Sequence, residues 1–169
     1  SNNVVIERCT VSNVDGSCIN ISTRSTECAV IYNDVSQSQG VMIRAYPQRN
    51  SLANQTPDKN IIQNNYCHDP RHRIEGGIYV TGCLSVISHN YLEDCRISLG
   101  SSSECIVEFN EIRGGSRDVY DAGLIYLNGY YNFGNHIRNN YLHDWNAPHS
   151  GIYFDDLASF NYAYYNILD

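Results

Sequence analysis

The sequence contains little of what a helical, membrane-spanning or nucleic-acid-binding protein requires. It has one Met, one Trp and one Lys (Lys59) in 169 residues, and its formal net charge is −7. Because no basic patch interrupts this acidic balance, we expect no nucleic-acid partner. No stretch approaches the roughly 18 consecutive apolar residues of a membrane-spanning helix, so we also expect no membrane span.

Helical periodicity and zinc-binding spacing are missing as well. No apolar stripe with a 3.6-residue period is present, and none of the seven cysteines forms a C-x-x-C pair. We expect the cysteines to serve mainly as small apolar core residues. One or two disulfides remain the alternative, and the odd count would leave at least one thiol unpaired. The cysteines are Cys9, Cys18, Cys28, Cys67, Cys83, Cys95 and Cys105.

A short phrase recurs along the whole chain instead. An apolar residue is followed three places later by Asn and two places after that by a second apolar residue, as in Val30, Asn33 and Val35. Such an imperfect period is the signature of a solenoid. The Asn positions are spaced by 20 to 32 residues and are 33, 65, 90, 110, 140 and 166, with Cys9 in the equivalent place of the first repeat.

The runs between these positions alternate like β-strands and are rich in Val, Ile and Tyr. The sequence therefore predicts an all-β protein, a right-handed parallel β-helix of about six to seven coils stacked about 4.8 Å apart. Asn tolerates the left-handed backbone of a sharp bend, and stacked Asn side chains would bond from coil to coil. We expect residues 1–169 to form a single domain that is a fragment or processed part of a longer chain. Its open ends would be covered by further segments or other copies.

A second strand follows each Asn turn, and Gly usually precedes it. Alternation sorts its inward positions from its outward ones. The inward positions are predicted to be Ile19, Val41, Ile78, Ile97, Ile125 and Ile152, then Ile21, Ile43, Val80, Leu99, Leu127 and Phe154. The outward positions between them are predicted to be Asn20, Met42, Tyr79, Ser98, Tyr126 and Tyr153, then Ser22, Arg44, Thr81, Gly100, Asn128 and Asp155.

Ionisable residues gather in four segments that flank this outward face, at 67–75, 117–121, 143–149 and 155–156. A solenoid groove lined with aromatic, amide, acidic and Arg side chains suits a sugar polymer, because aromatic faces stack on sugar rings and polar groups bond hydroxyls. The predicted partner is therefore a polysaccharide or glycan. The predicted substrate-binding residues are Tyr79, Tyr126, Tyr153, Trp145, Asn128, His149 and Arg44.

Three motifs in the last third of the chain carry a family resemblance. They are Asp121-Ala122-Gly123-Leu124-Ile125-Tyr126, then Asn140-Tyr141-Leu142-His143-Asp144, then Gly151-Ile152-Tyr153-Phe154-Asp155-Asp156. Residues 117–169 with these motifs resemble the pectate-lyase-like superfamily of β-helix proteins, and are most similar to its glycoside hydrolases. The resemblance implies a carboxylate pair made by Asp121 with Asp155 or Asp156. Glycoside hydrolysis needs such a pair, one as acid and one as base or nucleophile. His143 and Tyr126 would orient or tune it.

Two other functions stay open on the sequence. A polysaccharide lyase would need a base and a group that neutralises a uronate carboxylate, for which Arg44, Arg71 and Arg73 are candidates. No cofactor is required by the hydrolase, although acidic pairs such as Asp155-Asp156 could hold Ca²⁺. A non-catalytic carbohydrate-binding, adhesin or matrix module would need only aromatic platforms. Each of these functions leads us to expect an exported protein, extracellular or periplasmic.

Overall fold

The computed structural model describes residues 2–22, 25–46, 57–71, 76–115, 121–145 and 150–169. These residues contain 20 short strands in three parallel sheets, and the chain visits the sheets in turn. Each circuit places one strand in each sheet directly beside the equivalent strand of the previous circuit. This topology confirms the predicted all-β fold, a right-handed parallel β-helix.

Two faces of the helix contain seven strands each and the third contains six. The first sheet contains β1 (Val5–Glu7), β4 (Ala29–Ile31), β7 (Ile61–Gln63), β10 (Val86–Ser88), β13 (Ile106–Glu108), β16 (His136–Arg138) and β19 (Tyr162–Tyr164). The second contains β2 (Thr10–Val14), β5 (Asp34–Ser38), β8 (Tyr66–His68), β11 (Tyr91–Glu93), β14 (Glu111–Arg113), β17 (Tyr141–His143) and β20 (Ile167–Leu168). The third contains β3 (Ile19–Ile21), β6 (Ile43–Ala45), β9 (Ile78–Cys83), β12 (Ile97–Ser103), β15 (Gly123–Asn128) and β18 (Ser150–Phe154).

The predicted Asn ladder is present at the bend between the first and second sheets. Asn90 shows the repeated pattern: its Nδ2 donates to Asn110 Oδ1 at 2.9 Å and to the Ile62 carbonyl at 2.9 Å. Its own Oδ1 accepts from both the backbone N and Nδ2 of Asn65. The side chains are buried inside the bend, so the ladder satisfies backbone groups that water cannot reach.

The left-handed residue at this bend differs from the prediction. The positive φ belongs to the residue before each ladder Asn, for example Tyr32 at 56°, His89 at 56° and Phe109 at 55°. The ladder Asn instead turns its amide inward to bond the neighbouring coils. Asn is therefore selected here for its two-sided hydrogen bonding and not for its tolerance of the left-handed region.

A second ladder, which sequence reasoning missed, lies at the bend between the third and first sheets. Asn135 donates through Nδ2 to Asn161 Oδ1 at 2.9 Å, and the Cys105 backbone N donates to Asn135 Oδ1 at 2.9 Å. Cys28 donates in the same way to Asn60 Oδ1 at 3.0 Å. Cysteine thus replaces Asn at two ladder positions, which masked the repeat in the sequence.

The core is a column of aliphatic side chains and cysteines that follows the helix axis. All seven thiols are free, which favours core packing over disulfides. Five of them are buried, namely Cys28, Cys67, Cys83, Cys95 and Cys105. Burial raises the pKa of Cys105 to about 12, so this thiol stays protonated and packs as a small apolar group.

One part of the predicted alignment is wrong, in the second coil of the third sheet. Ile43, and not Val41, pairs in register with Ile19 and Ile78. Gly40 stands three residues before its strand, whereas Gly77 directly precedes Ile78, so aligning the two glycines shifted the strand by two places. Met42, predicted to face solvent, is 0% exposed.

The shift brings Arg44 into register with Asn20 and Tyr79. The first outward row of the third sheet is therefore Asn20, Arg44, Tyr79, Ser98, Tyr126 and Tyr153. At the last coil, Phe154 is 39% exposed despite its inward position, because β18 is the terminal strand of the sheet.

No helix in the described part of the chain is long and apolar enough to cross a membrane.

Candidate active site

The outward face of the third sheet brings together most of the predicted site residues. Parallel pairing stacks Tyr79, Tyr126 and Tyr153 in one row, with Ser98 between the first two. The rings of Tyr126 and Tyr153 lie 5.5 Å apart with a 41° tilt. Because successive coils are about 4.8 Å apart, this row runs along the helix axis as an extended surface.

Asp155 directly follows the strand that carries Tyr153, and its carboxylate is held on both oxygens. Tyr126 Oη, one coil earlier, donates to Asp155 Oδ2 at 2.7 Å. The backbone N of Asp156 donates to Asp155 Oδ1 at 2.7 Å. The carboxylate therefore has a fixed orientation towards the tyrosine row.

Asp121 joins the same group from the neighbouring coil. A hydrogen bond to the Asp121 carboxylate is the main cause that raises the pKa of Tyr153, followed by burial and by the charges of Asp155 and Asp156. Asp121 precedes the strand of Tyr126 by two residues, and each of the two acids acts on the tyrosine of the other acid's coil. Asp155 accepts a hydrogen bond of 2.7 Å from Tyr126, and Asp121 raises the pKa of Tyr153.

The tyrosines in this group are proton donors. Burial, and then the hydrogen bond and charge of Asp155, raise the pKa of Tyr126 well above its usual range. A phenol in this state keeps its proton at neutral pH and cannot act as a base. Tyr126 and Tyr153 therefore position the carboxylates and offer hydroxyl contacts to a ligand.

Two adjoining clefts open on this face. The first, of about 190 Å³, is called here the arginine cleft, and its lining includes Arg44, Tyr79, Arg96, Ser98, Tyr126 and Asn128. The second, of about 330 Å³, is called the glycine cleft, and its lining includes Tyr79, Gly100, Asn128, Gly129, Tyr130 and Asp156. Tyr79 and Asn128 border both clefts, so together they form one continuous groove.

Glycine at position 100 allows Tyr79 to lie across the sheet between the two clefts. A Cβ built on Gly100 would overlap the Tyr79 hydroxyl. The Tyr79 ring also stacks near Tyr46, with centroids 6.3 Å apart. The ring is therefore fixed from two sides at the place where the two clefts adjoin.

Arg96, Ser98 and Gly100 are site residues that sequence reasoning did not select. Arg96 directly precedes Ile97, at a place where the equivalent residues are Met42, Gly77 and Leu124. The sequence did contain a signal for Arg96, because a charged residue stands there at a position otherwise occupied by apolar residues or Gly. Its guanidinium lies 5.1 Å from the centre of the Tyr126 ring.

His143 does not join the carboxylates. It lies on β17 of the second sheet, where Nε2 is 3.2 Å from Glu111 Oε1 and Nδ1 is 3.1 Å from Asp144 Oδ2. His68 on β8 has the same surroundings, with Asp34 and Asp69 each 2.9 Å away. At two places in the helix, the Tyr-x-His-Asp motif therefore sets a His between two carboxylates on the surface of the second sheet. None of the described contacts gives His143 the predicted role of orienting Asp121 and Asp155.

The other predicted site residues divide as follows. Trp145 packs against the hydrophobic core and lines neither cleft. Asn128 lines both clefts, and Asp156 lines the glycine cleft. His149 lies outside the described residues. Within the described ranges, no group of three or more His, Cys, Asp or Glu side chains is arranged to hold a metal ion, including the predicted alternative Ca²⁺.

The comparisons with known proteins give one match. The family model described as a right-handed beta helix region matches residues 1–169. Neither the comparison with curated proteins nor the comparison with solved structures finds a match.

Proposed function

The chain belongs to the right-handed β-helix family, and from that premise we propose that it hydrolyses a polysaccharide bound along the third sheet. Asp121 and Asp155 are the proposed carboxylate pair. The observation that carries the proposal is the hydrogen bond that holds Asp155 on the tyrosine row through Tyr126, with Asp121 near enough to raise the pKa of Tyr153 in the same row. Most glycoside hydrolases use a pair of carboxylates, and this pair lies beside a groove bordered by tyrosines.

The two acids have different surroundings, which suggests different roles. Asp155 accepts hydrogen bonds on both oxygens, and such bonds favour a carboxylate that acts as base or nucleophile. Asp121 is exposed and is the proposed acid that protonates the leaving oxygen. Tyr126 and Tyr153 would hold the two groups in place across neighbouring coils.

The groove supports a polymeric substrate. It extends from Arg44 in the second coil to Leu157 in the sixth, and tyrosines border it along this length. Sugar rings stack on tyrosine faces, while Asn128 and Ser101 offer hydroxyl-binding groups. Because polysaccharides of this kind occur outside the cytoplasm, we also propose an extracellular or periplasmic location.

A polysaccharide lyase is the second candidate, and the arginine cleft favours it. Arg44 and Arg96 could neutralise a uronate carboxylate, as β-elimination requires. The raised pKa of Tyr126 argues against this tyrosine as the base. Hydrolysis therefore fits the tyrosines better than elimination does.

The test is product release from a panel of neutral and acidic polysaccharides. Reducing ends and the absorbance of unsaturated uronates are recorded together. We expect reducing ends without absorbance, and at least a hundredfold loss in Asp155→Asn and in Asp121→Asn. Glu7→Gln is the matched control, because Glu7 is an exposed acid on the first sheet whose described ion pair is with Arg8.

The other outcomes distinguish the alternatives. Absorbance at the uronate band would replace hydrolysis by elimination. No product from a folded preparation, together with retained polysaccharide binding, would identify a non-catalytic binding module. Equal loss in Glu7→Gln would show that the Asp variants act through stability and would remove the assignment of the pair.

A further inference from the structure

The arginine cleft is a cationic site in an acidic protein. The chain carries a net charge of −7, yet two guanidinium groups and no carboxylate are among the described residues that line this cleft. Positive charge concentrated in a concave surface attracts anions more strongly than the same charge on an open surface. The cleft therefore differs in character from the carboxylate pair, which lies one to two coils beyond Arg96 and three to four coils beyond Arg44.

Arg44 stacks on two tyrosine rings and takes part in none of the described ion pairs. Its guanidinium carbon lies 4.6 Å from the centre of the Tyr46 ring and 5.9 Å from that of Tyr79. Among the described ion pairs, those of Arg8, Arg71, Arg113 and Arg138 each involve a nearby acid, and none involves Arg44. Stacking on two rings orients the group, and no described carboxylate forms an ion pair with it.

Ser98 supplies a second, independent indication. It lies in the lining of the cleft, is 5% exposed, and its Oγ has no hydrogen-bond partner among the residues that the structure describes. The Arg44 Nε is buried without a described partner as well. Buried polar atoms are normally satisfied, so an unpartnered hydroxyl beside two arginines is what a ligand-binding site would show when empty.

We propose that the arginine cleft binds an anionic substituent of the glycan, a carboxylate or a sulfate ester, with Arg44, Arg96 and Ser98 as its contacts. The inference rests on the proposed function, since it names the substrate class of the same groove. Arginine presents a planar fork of donors that matches both of these anions. The Ser98 hydroxyl would donate a further bond.

The register fixes where this substituent lies relative to the reacting bond. Ser98 and Arg96 belong to the fourth coil, two coils before Tyr153 and Asp155. At about 4.8 Å per coil, the anionic group would lie about 10 Å along the groove from Asp155. The acidic sugar is therefore bound beside the sugar unit whose bond is cleaved. It selects the polymer without taking part in the chemistry.

The experiment measures equilibrium binding by calorimetry with the Asp155→Asn protein, so that no substrate is consumed. The probes are oligogalacturonate, the same oligomer reduced at its carboxyl groups, and a sulfated galactan oligosaccharide. Arg44→Gln removes the charge, and Arg44→Lys keeps it without the fork. Arg8→Gln is the matched control, because Arg8 is an exposed arginine on a tyrosine ring, 5.6 Å from the centre of Tyr32, outside the third sheet.

We expect at least one acidic probe to bind more tightly than the reduced oligomer, and Arg44→Gln to weaken that binding about ten- to hundredfold. Arg44→Lys should lie between the two, and Arg8→Gln should bind like its parent. The probe that binds better identifies the substituent as carboxylate or sulfate. Unfolding midpoints of the variants show that each is folded.

Two results would overturn the inference. Equal binding of acidic and reduced oligomers, including no binding of either, would remove the anion site. An equal loss in Arg8→Gln and Arg44→Gln would reduce the effect to overall charge. The failure of the proposed hydrolysis is separate: if Asp155-containing protein releases no product while acid-selective binding still depends on Arg44, the cleft stands and the catalysis does not.

Discussion

Tyr126 and Asp155 are joined across two neighbouring coils by a hydrogen bond of 2.7 Å from Oη to Oδ2. The bond links the tyrosine row to the turn that ends β18, because the same carboxylate also accepts the backbone N of Asp156. The guanidinium carbon of Arg96 lies 5.1 Å from the centre of the Tyr126 ring. Tyr126 is thus the point at which the arginine cleft and the carboxylate pair meet.

The ionisation of Tyr126 gives the first prediction. Burial and the Asp155 carboxylate raise its pKa, so this phenol should ionise later than an ordinary tyrosine near pH 10. When phenolate absorbance is titrated against pH, Tyr126→Phe should remove only the part of the curve that rises at the highest pH. In Asp155→Asn, the same part should move to lower pH. Loss of amplitude near pH 10 in Tyr126→Phe would contradict the assignment.

The glycine under Tyr79 gives the second prediction. Gly100→Ala should displace the Tyr79 ring and lower stability by about 1–3 kcal/mol, because the added methyl overlaps the phenol. Gly16→Ala is the control, since a Cβ there meets nothing within 4 Å. Urea unfolding and polysaccharide binding should both change at Gly100 and neither at Gly16. If the two variants behave alike, Tyr79 is not fixed by this contact.

The sequence was sufficient for the fold because its period encodes stacking directly. Every ladder Asn marks a bend, and the apolar residues around it give the inward positions. It was insufficient where the spacing between landmarks varies. Gly40 and Gly77 stand at different distances from their strands, and that difference moved Arg44 away from its true neighbour, Tyr79.

The site was predicted in part for a similar reason. The alignment of strands brought Tyr126, Tyr153 and Asp155 to one face, since parallel pairing preserves register. Loop residues carry no such rule, so Trp145 was assigned to the groove although it packs on the core. His143 was assigned to the site from a motif that recurs at His68. There, too, the imidazole bonds a carboxylate of the neighbouring coil on the surface of the second sheet.

The Asn ladder gives the third prediction. Asn90→Ala should lower the free energy of unfolding by about 2–4 kcal/mol, because it leaves the Ile62 carbonyl and the Asn65 amide without buried partners. Asn166→Ala, at the last and part-buried step of the ladder, should cost about 1 kcal/mol. Urea unfolding measures both. Equal costs at the two positions would show that burial does not determine the strength of the ladder.

The left-handed turns give the fourth prediction. Leu84 has a φ of 58°, and its equivalent in the sixth coil is Gly134 with a φ of 67°. Leu84→Gly should stabilise the protein by about 0.5–1 kcal/mol, since Gly accepts this conformation without strain. Leu84→Val should destabilise it, because a β-branched residue suits the left-handed region least. A thermal unfolding series in which Val equals or exceeds Gly would refute the backbone explanation.

His68 gives the last prediction, a dependence of stability on pH. Burial acts to lower the pKa of His68, but hydrogen bonds to Asp34 and Asp69 outweigh it and raise the pKa above its ordinary value of 6.5. A group whose pKa is raised on folding stabilises the protein fully below its unfolded pKa. That stabilisation is lost as the pH rises through the folded pKa. His68→Gln should therefore lower the free energy of unfolding more at pH 5.5 than at pH 8.5. The difference should be a few tenths to about 1 kcal/mol, because the pair is partly exposed.

Asp34→Asn removes one partner, so His68→Gln in that background should show a smaller difference. Asp15→Asn, which removes an exposed acid bonded to Arg71 instead, should leave the difference unchanged. A cost of His68→Gln that is the same at both pH values, or larger at pH 8.5, would mean that the imidazole contributes through its stacking on Tyr66 and not through its charge.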